Sequence, residues 1–266
     1  MPTHSLRVVV CPAIGLELRP WLERFDFATE LSLPGLRDPL RVTDDGVGVV
    51  PTGIGKADAA TTLAALFASS RVDCSEAYFS TVGIAGGPPE TGPFGSVCVG
   101  DCVVDWDKKH RVDDDDPVDL LYWRERDYVY DLDPTLADLA VDAAEGVDLR
   151  TVTDPPQVTR GTVVSGDEFW HGASLAEQAE WLVDAYDADP YRVTEMEAAG
   201  AVVALDRFDA LDRYVVVRGL ANYDRPPATS SARENLDLET GEHANHAAAE
   251  NAARVGLALA ERLLAR

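Results

Sequence analysis

Lysine is nearly missing from this chain of 266 residues, where Lys56, Lys108 and Lys109 stand against twenty arginines. Basic charge of any kind is scarce: 23 lysines and arginines face 47 aspartates and glutamates, leaving a net charge of -24. Nucleic acid and anionic membrane surfaces repel such a polyanion, so neither is expected as a partner. No stretch approaches the ~18 apolar residues that a membrane-spanning helix needs. The opening residues MPTHSLRVVVC lack the charged, long apolar and small-residue regions of a secretory signal. Four cysteines (Cys11, Cys74, Cys98 and Cys102) fall at no zinc-like spacing and have no neighbouring histidine pair, so no metal site is expected. A cytoplasmic protein with reduced thiols fits these absences.

Acidic residues are spread along the whole chain among many alanines, as in proteins of salt-loving organisms. That concerns solubility in concentrated salt and not chemistry. The run DDDDP (113–117) reads as a solvated loop, its ligand spacing being wrong for calcium. Elsewhere apolar, strand-like runs alternate with helical patterns. LRVVVC (6–11) precedes a helical WLERF stretch, and VGVVP (47–51) precedes an alanine-rich helix over 57–69. Further strands are expected at 77–86, 94–106, 162–166 and 213–222, and helices at 134–145, 173–186, 197–208 and 243–265. Such alternation predicts an α/β fold with a largely parallel sheet. With no internal repeat and no linker, it reads as one domain over residues 1–266.

Two glycine clusters mark strand ends, where ligands of open α/β sheets bind. GIGKADAA (53–60) turns a strand into a helix, but its glycine spacing is not that of a Walker loop and no Ser or Thr follows its lysine. GIAGG (83–87) lets backbone N–H groups approach an anion or a hydroxyl. The stretch VTEMEAAGAVVAL (193–205) puts two glutamates ahead of a nearly all-apolar helix. A carboxylate seldom enters such surroundings unpaired, so Glu197 needs a partner; Glu195 reads as its solvated neighbour.

In order, VVVCPAIGLE (8–17), TGIGK (52–56), VGIAGG (82–87), SGDEFW (165–170), TEMEAAG (194–200) and VVVRGLANYD (215–224) resemble the nucleoside phosphorylase superfamily, and within it the purine nucleoside permease branch. The resemblance covers nearly the whole chain. It implies a three-layer α/β/α sandwich with a mixed, mostly parallel central sheet. It also implies cleavage of purine nucleosides at the N-glycosidic bond, without metal or organic cofactor, by a homo-oligomer. Glu197 would accept hydrogen bonds from ribose hydroxyls and stabilise the cationic sugar of the transition state. Phe169 would stack on the base, with Trp170, Met196, Gly83, Ile84 and Ala85 as further substrate-binding candidates; Asp167 reads as structural, and His171 as a surface residue or one that only supports those touching the substrate.

Two departures and one match refine this expectation. Where adenine-cleaving relatives carry a proton-donating aspartate, this chain has Asn222, which can hold N7 and the 6-substituent but transfers no proton. Thr81 stands where hexameric phosphorylases carry a phosphate-binding arginine; Gly53, Gly55, Arg19 and Arg218 are the remaining anion-binding candidates, inorganic phosphate being the possible co-substrate. Glu17 aligns with the glutamate that activates water in the nucleosidases. The combined expectation is cleavage of 6-oxopurine nucleosides such as inosine and guanosine, leaning to hydrolysis. Phosphorolysis and a non-catalytic nucleoside-binding protein serving uptake are the alternatives.

Overall fold

The apolar runs pair as strands, and the alanine-rich stretches coil against both faces of the sheet they form. The computed structural model describes residues 3–112, 118–121, 128–227, 231–233 and 242–266; the DDDDP segment, expected to be a solvated loop, lies outside them. The strands of the first half are β1 (His4–Ser5), β2 (Val8–Cys11), β3 (Thr29–Leu31), β4 (Leu40–Val42), β5 (Val47–Val49), β6 (Val72–Asp73) and β7 (Tyr78–Gly87). Those of the second half are β8 (Val97–Asp105), β9 (Lys109–Arg111), β10 (Val118–Leu120), β11 (Val129–Asp131), β12 (Val158–Ser165), β13 (Tyr191–Glu195) and β14 (Tyr214–Tyr223). Helices α1 (Gly15–Arg24), α2 (Lys56–Ala68), α3 (Pro134–Ala144), α4 (Ala173–Ala185), α5 (Ala198–Arg207) and α6 (Glu242–Leu264) fill the connections.

Strands buried on both faces explain why the sequence runs are continuously apolar rather than alternating. In β2, Val8 and Val10 point to a core shared with Trp21 of α1, Leu136 of α3 and Leu259 of α6. Val9 and Cys11 point the other way, toward Leu63 of α2 and Leu205 of α5. Helices therefore cover both faces, as a sandwich requires. A third cluster joins α4 to Trp106 and Trp170 beyond β12.

The main sheet runs β11-β8-β12-β13-β7-β2-β5-β4-β3, with β14 pairing both β7 and β8. Ladders β2–β5, β2–β7, β7–β14, β8–β12 and β12–β13 are parallel. The edges β11–β8 and β3–β4–β5 are antiparallel, and so is β14–β8. Because β13 also meets β7, at Thr194 and Gly86, the strands β7, β14, β8, β12 and β13 pair in a closed circuit. The carboxyl ends of β2, β7, β13 and β14 converge there, which is where an α/β sheet offers its ligand crevice. Among the described residues no helix is long and apolar enough to cross a membrane. All four cysteines are free and buried, and burial pushes the Cys11 thiol up to about 12.

Candidate active site

Three carboxylates from two separate chain segments close around one guanidinium supplied by a third. Arg218, in the middle of β14, is 1% exposed. Its Nη2 donates to Glu195 and, at 3.1 Å, to Glu197 Oε2, while Nη1 lies 3.9 Å from Glu17 Oε1. Burial works against the charge of Arg218, but the three carboxylates outweigh it and hold the side chain protonated. The partner that Glu197 required is this arginine, together with the Gly55 N–H, 3.1 Å from Glu197 Oε1. Gly55 can aim its N–H there because its φ is +99°, a backbone angle that side chains disfavour.

Glu17 sits in the first turn of α1 and folds back on the chain before it. Its Oε2 accepts from Ala13 N at 2.6 Å and Ile14 N at 3.2 Å, and its Oε1 accepts from Ile84 N at 2.7 Å. Gly83 makes room for this: a Cβ there would lie 2.2 Å from Glu17 Oε1 and 2.6 Å from Arg218 Nη1. Burial raises the pKa of Glu17 despite Arg218 and the three N–H donors. Glu197 is pushed up to about 7, by burial first and then by the negative charge of Glu195 and Glu17, against the pull of Arg218.

Glu195 is not the solvated neighbour its place in the sequence indicates. It is 7% exposed, accepts from Glu197 N and Ala198 N at 3.0 Å each, and so closes the start of α5 while pairing with Arg218. The alternating burial of β13 turns it inward. Sequence reasoning missed it because YRVTE is a strand ending on an inward residue; read as the approach to a helix, it loses that periodicity.

Above the carboxylates opens a pocket of about 170 Å³, lined by Glu17, Glu195, Glu197, Met196, Thr194, Ile84, Ala85, Phe169, Asn222, Ile14 and Ile54, among others. Phe169 stands at its rim, 61% exposed. Asn222 commits one amide N–H to Tyr223 O at 2.8 Å, leaving a second N–H and its oxygen for other bonds.

The remaining candidates fall elsewhere. Trp170 is buried against Trp106, ring centroids 5.2 Å apart, and does not line the pocket. Arg19 is exposed and paired with Glu23 at 2.8 Å; two residues past Glu17, it lies about 200° around the helix and faces away. Gly53 borders a neighbouring depression, not this pocket. Thr81 is buried with its hydroxyl 2.7 Å from Tyr214 OH. Asp167 accepts from Lys56 N at 2.7 Å, and His171 Nδ1 lies 3.0 Å from Tyr223 O. Among the described residues no lysine or arginine lines the pocket, and Arg218 is engaged behind it, so neither Arg218 nor Arg19 is a free anion ligand here.

Solved structures of the same fold include a futalosine hydrolase of Helicobacter pylori, at TM-score 0.71 and 20% identity over 97% of this chain and 98% of that one. A 5′-methylthioadenosine/S-adenosylhomocysteine nucleosidase of Neisseria meningitidis, in complex with methylthio-immucillin-A, matches at TM-score 0.71 and 20% identity over 97% and 99%. In sequence, the chain is 26% identical to a probable purine nucleoside permease of Schizosaccharomyces pombe, over 97% of this chain and 89% of that protein. It is 23% identical to a purine nucleoside permease of Candida albicans, over 87% and 68%. The family described as purine nucleoside permease (NUP) matches residues 5–266, and the chain belongs to it.

Proposed function

We propose that this protein hydrolyses the N-glycosidic bond of purine nucleosides, with 6-oxopurines preferred. The observation that carries the reading is the set of buried carboxylates around Arg218, opening into a pocket flanked by Phe169 and Asn222. As the C1′–N9 bond breaks, its electron pair leaves with the base and positive charge gathers on the sugar. A fixed carboxylate at Glu197 stabilises that charge most where it is greatest, in the transition state. Water adds to C1′ and gives its proton to Glu17, whose raised pKa makes it a stronger base. The departing base takes a proton at N7 from solvent, and a 6-oxopurine then offers N7–H and O6 to the acceptor and donor of Asn222. Phe169 supplies an apolar face for any purine.

Water is favoured over phosphate because Glu17, Glu195 and Glu197 line the pocket and, among the described residues, no free cation does. A phosphate dianion beside those groups would be repelled. A binding protein without turnover is the second reading, supported by the permease name of the family and its sequence relatives.

The deciding experiment incubates inosine, guanosine, adenosine and methylthioadenosine with the protein in molar salt, with and without phosphate, and separates the products. Base released equally in both buffers supports hydrolysis. Release that requires phosphate and yields the sugar 1-phosphate replaces it with phosphorolysis. Binding of nucleoside with no base over hours favours the uptake reading.

A further inference from the structure

We propose that Lys56 is a positioning residue for this site, tying the loop that holds Glu197 to the loop that carries Phe169; the proposal rests on the nucleoside-cleaving reading. The three lysines of an otherwise arginine-furnished chain meet at one place, the carboxyl end of β8. Lys109 Nζ lies 3.1 Å from the Trp106 ring centroid, and Lys108 donates its N–H to Asp105 O at 3.3 Å. Lys56 alone among them joins the frame of the pocket. Its Nζ meets Asp105 Oδ1 at 2.9 Å and Asp107 Oδ2 at 2.6 Å, with the side chain 17% exposed. Its own N–H donates to Asp167 Oδ1 at 2.7 Å, and Asp167 N–H donates to Asp107 Oδ2 at 2.8 Å.

These bonds close a circuit from Lys56 backbone to Asp167 side chain, from Asp167 backbone to Asp107 side chain, and from there to the Lys56 ammonium. Gly55, one residue before Lys56, gives its N–H to Glu197. Phe169 stands two residues after Asp167. One cation therefore sets the separation between the group facing the sugar and the group facing the base, while touching neither ligand: Lys56 and Asp107 do not line the pocket. Burial favours the neutral amine, but Asp107 and Asp105 outweigh it and keep Lys56 charged. A compact ammonium fits between two carboxylates where a planar guanidinium would have to spread, which accounts for a lysine at this position. A displacement of about 1 Å in such a frame costs up to ~10²-fold in rate.

The test compares Lys56→Met, Lys56→Arg and wild type on inosine, and measures amide exchange in segments 53–56 and 165–170. Lys56→Met is expected to lose ~10-fold or more in kcat. It should also shift the acid limb of the pH profile upward, because the Gly55 N–H no longer favours ionised Glu197, and speed exchange in both segments. Lys56→Arg should recover part of each. Wild-type kcat and an unmoved acid limb overturn the proposal, even if exchange quickens, since a merely structural tether would leave the titration alone. Should Lys56→Met not fold, Asp107→Asn cuts the same circuit at a less buried point and should act in the same direction with smaller size. If wild type releases no base, the parent reading fails on its own. Exchange of the two segments and the Glu197 titration, followed by carboxylate carbon NMR, then still decide whether Lys56 positions them.

Discussion

At the scale of single residues, the proposed function rests most heavily on the charge of Glu197. Glu197→Gln keeps its shape and removes the charge meant for the sugar cation, so kcat should fall by ~10²-fold or more in steady-state assays. Unchanged turnover on every purine nucleoside would remove its role. Its pKa of about 7 also sets a pH dependence. With Glu17 raised as well, kcat/KM should climb with pH toward a plateau above about 7. The same shift has a sign for stability: a carboxylate raised on folding favours the native state below its ordinary value of 4.5, and that advantage is lost as pH rises to about 7. Denaturant titrations of wild type and Glu197→Gln across this window should differ in slope accordingly. On the proposed reading, Asn222 selects the base. Inosine or guanosine should exceed adenosine in kcat/KM by ~10-fold or more, one hydrogen bond being at stake, and Asn222→Asp should narrow or reverse the ratio by supplying an acid. A ratio that stays put means Asn222 does not read the base. The motifs that carry the family resemblance sufficed to name Glu17, Phe169, Glu197 and Asn222 as candidates, and all four line one pocket. Arg218 as the hub and Arg19 as an outward residue were not legible: the first depends on segments far apart in the chain, the second on helical phase.

At the scale of elements, the junction of β13 and α5 buries two of the three carboxylates that meet Arg218. Glu195 serves as strand end, helix cap and counter-ion at once. Glu195→Ala leaves the buried Arg218 short of a partner and uncaps α5, which should cost about 3–5 kcal/mol of unfolding free energy. Glu195→Gln keeps the backbone bonds and should cost less; equal losses would mean the charge contributes nothing. Urea unfolding measures both. Helix positions followed well from sequence, since Asp133 and Pro134 give α3 an explicit start. The strand circuit did not. A pattern of apolar runs says which segments are strands but not that β14 lies between β7 and β8, or that β13 returns to β7. Short strands such as β3, at the edge, and β4 beside it were invisible because three residues show no period.

At the scale of the whole molecule, the charge of -24 goes far beyond the pocket, which among the described residues is lined by three of the 47 acids. Exposed ion pairs such as Arg19–Glu23 contribute little and weaken in salt. Repulsion among excess carboxylates acts over the whole surface and is relieved by the same ions, the screening length shrinking from ~10 Å at 0.1 M to ~3 Å at 1 M. With 47 acids against 23 bases, relief of repulsion outweighs loss of pairing. We therefore expect the melting temperature to rise steeply from dilute buffer to molar KCl. Chloride is the appropriate anion, because sulfate would raise the melting point of almost any protein by exclusion from its surface. The Arg218 cluster is buried and barely screened, so a variant such as Glu195→Gln should show the same dependence on KCl as wild type, displaced downward in parallel. A flat response in wild type would detach the acidic composition from stability, while the chemistry argued for the pocket would stand unchanged.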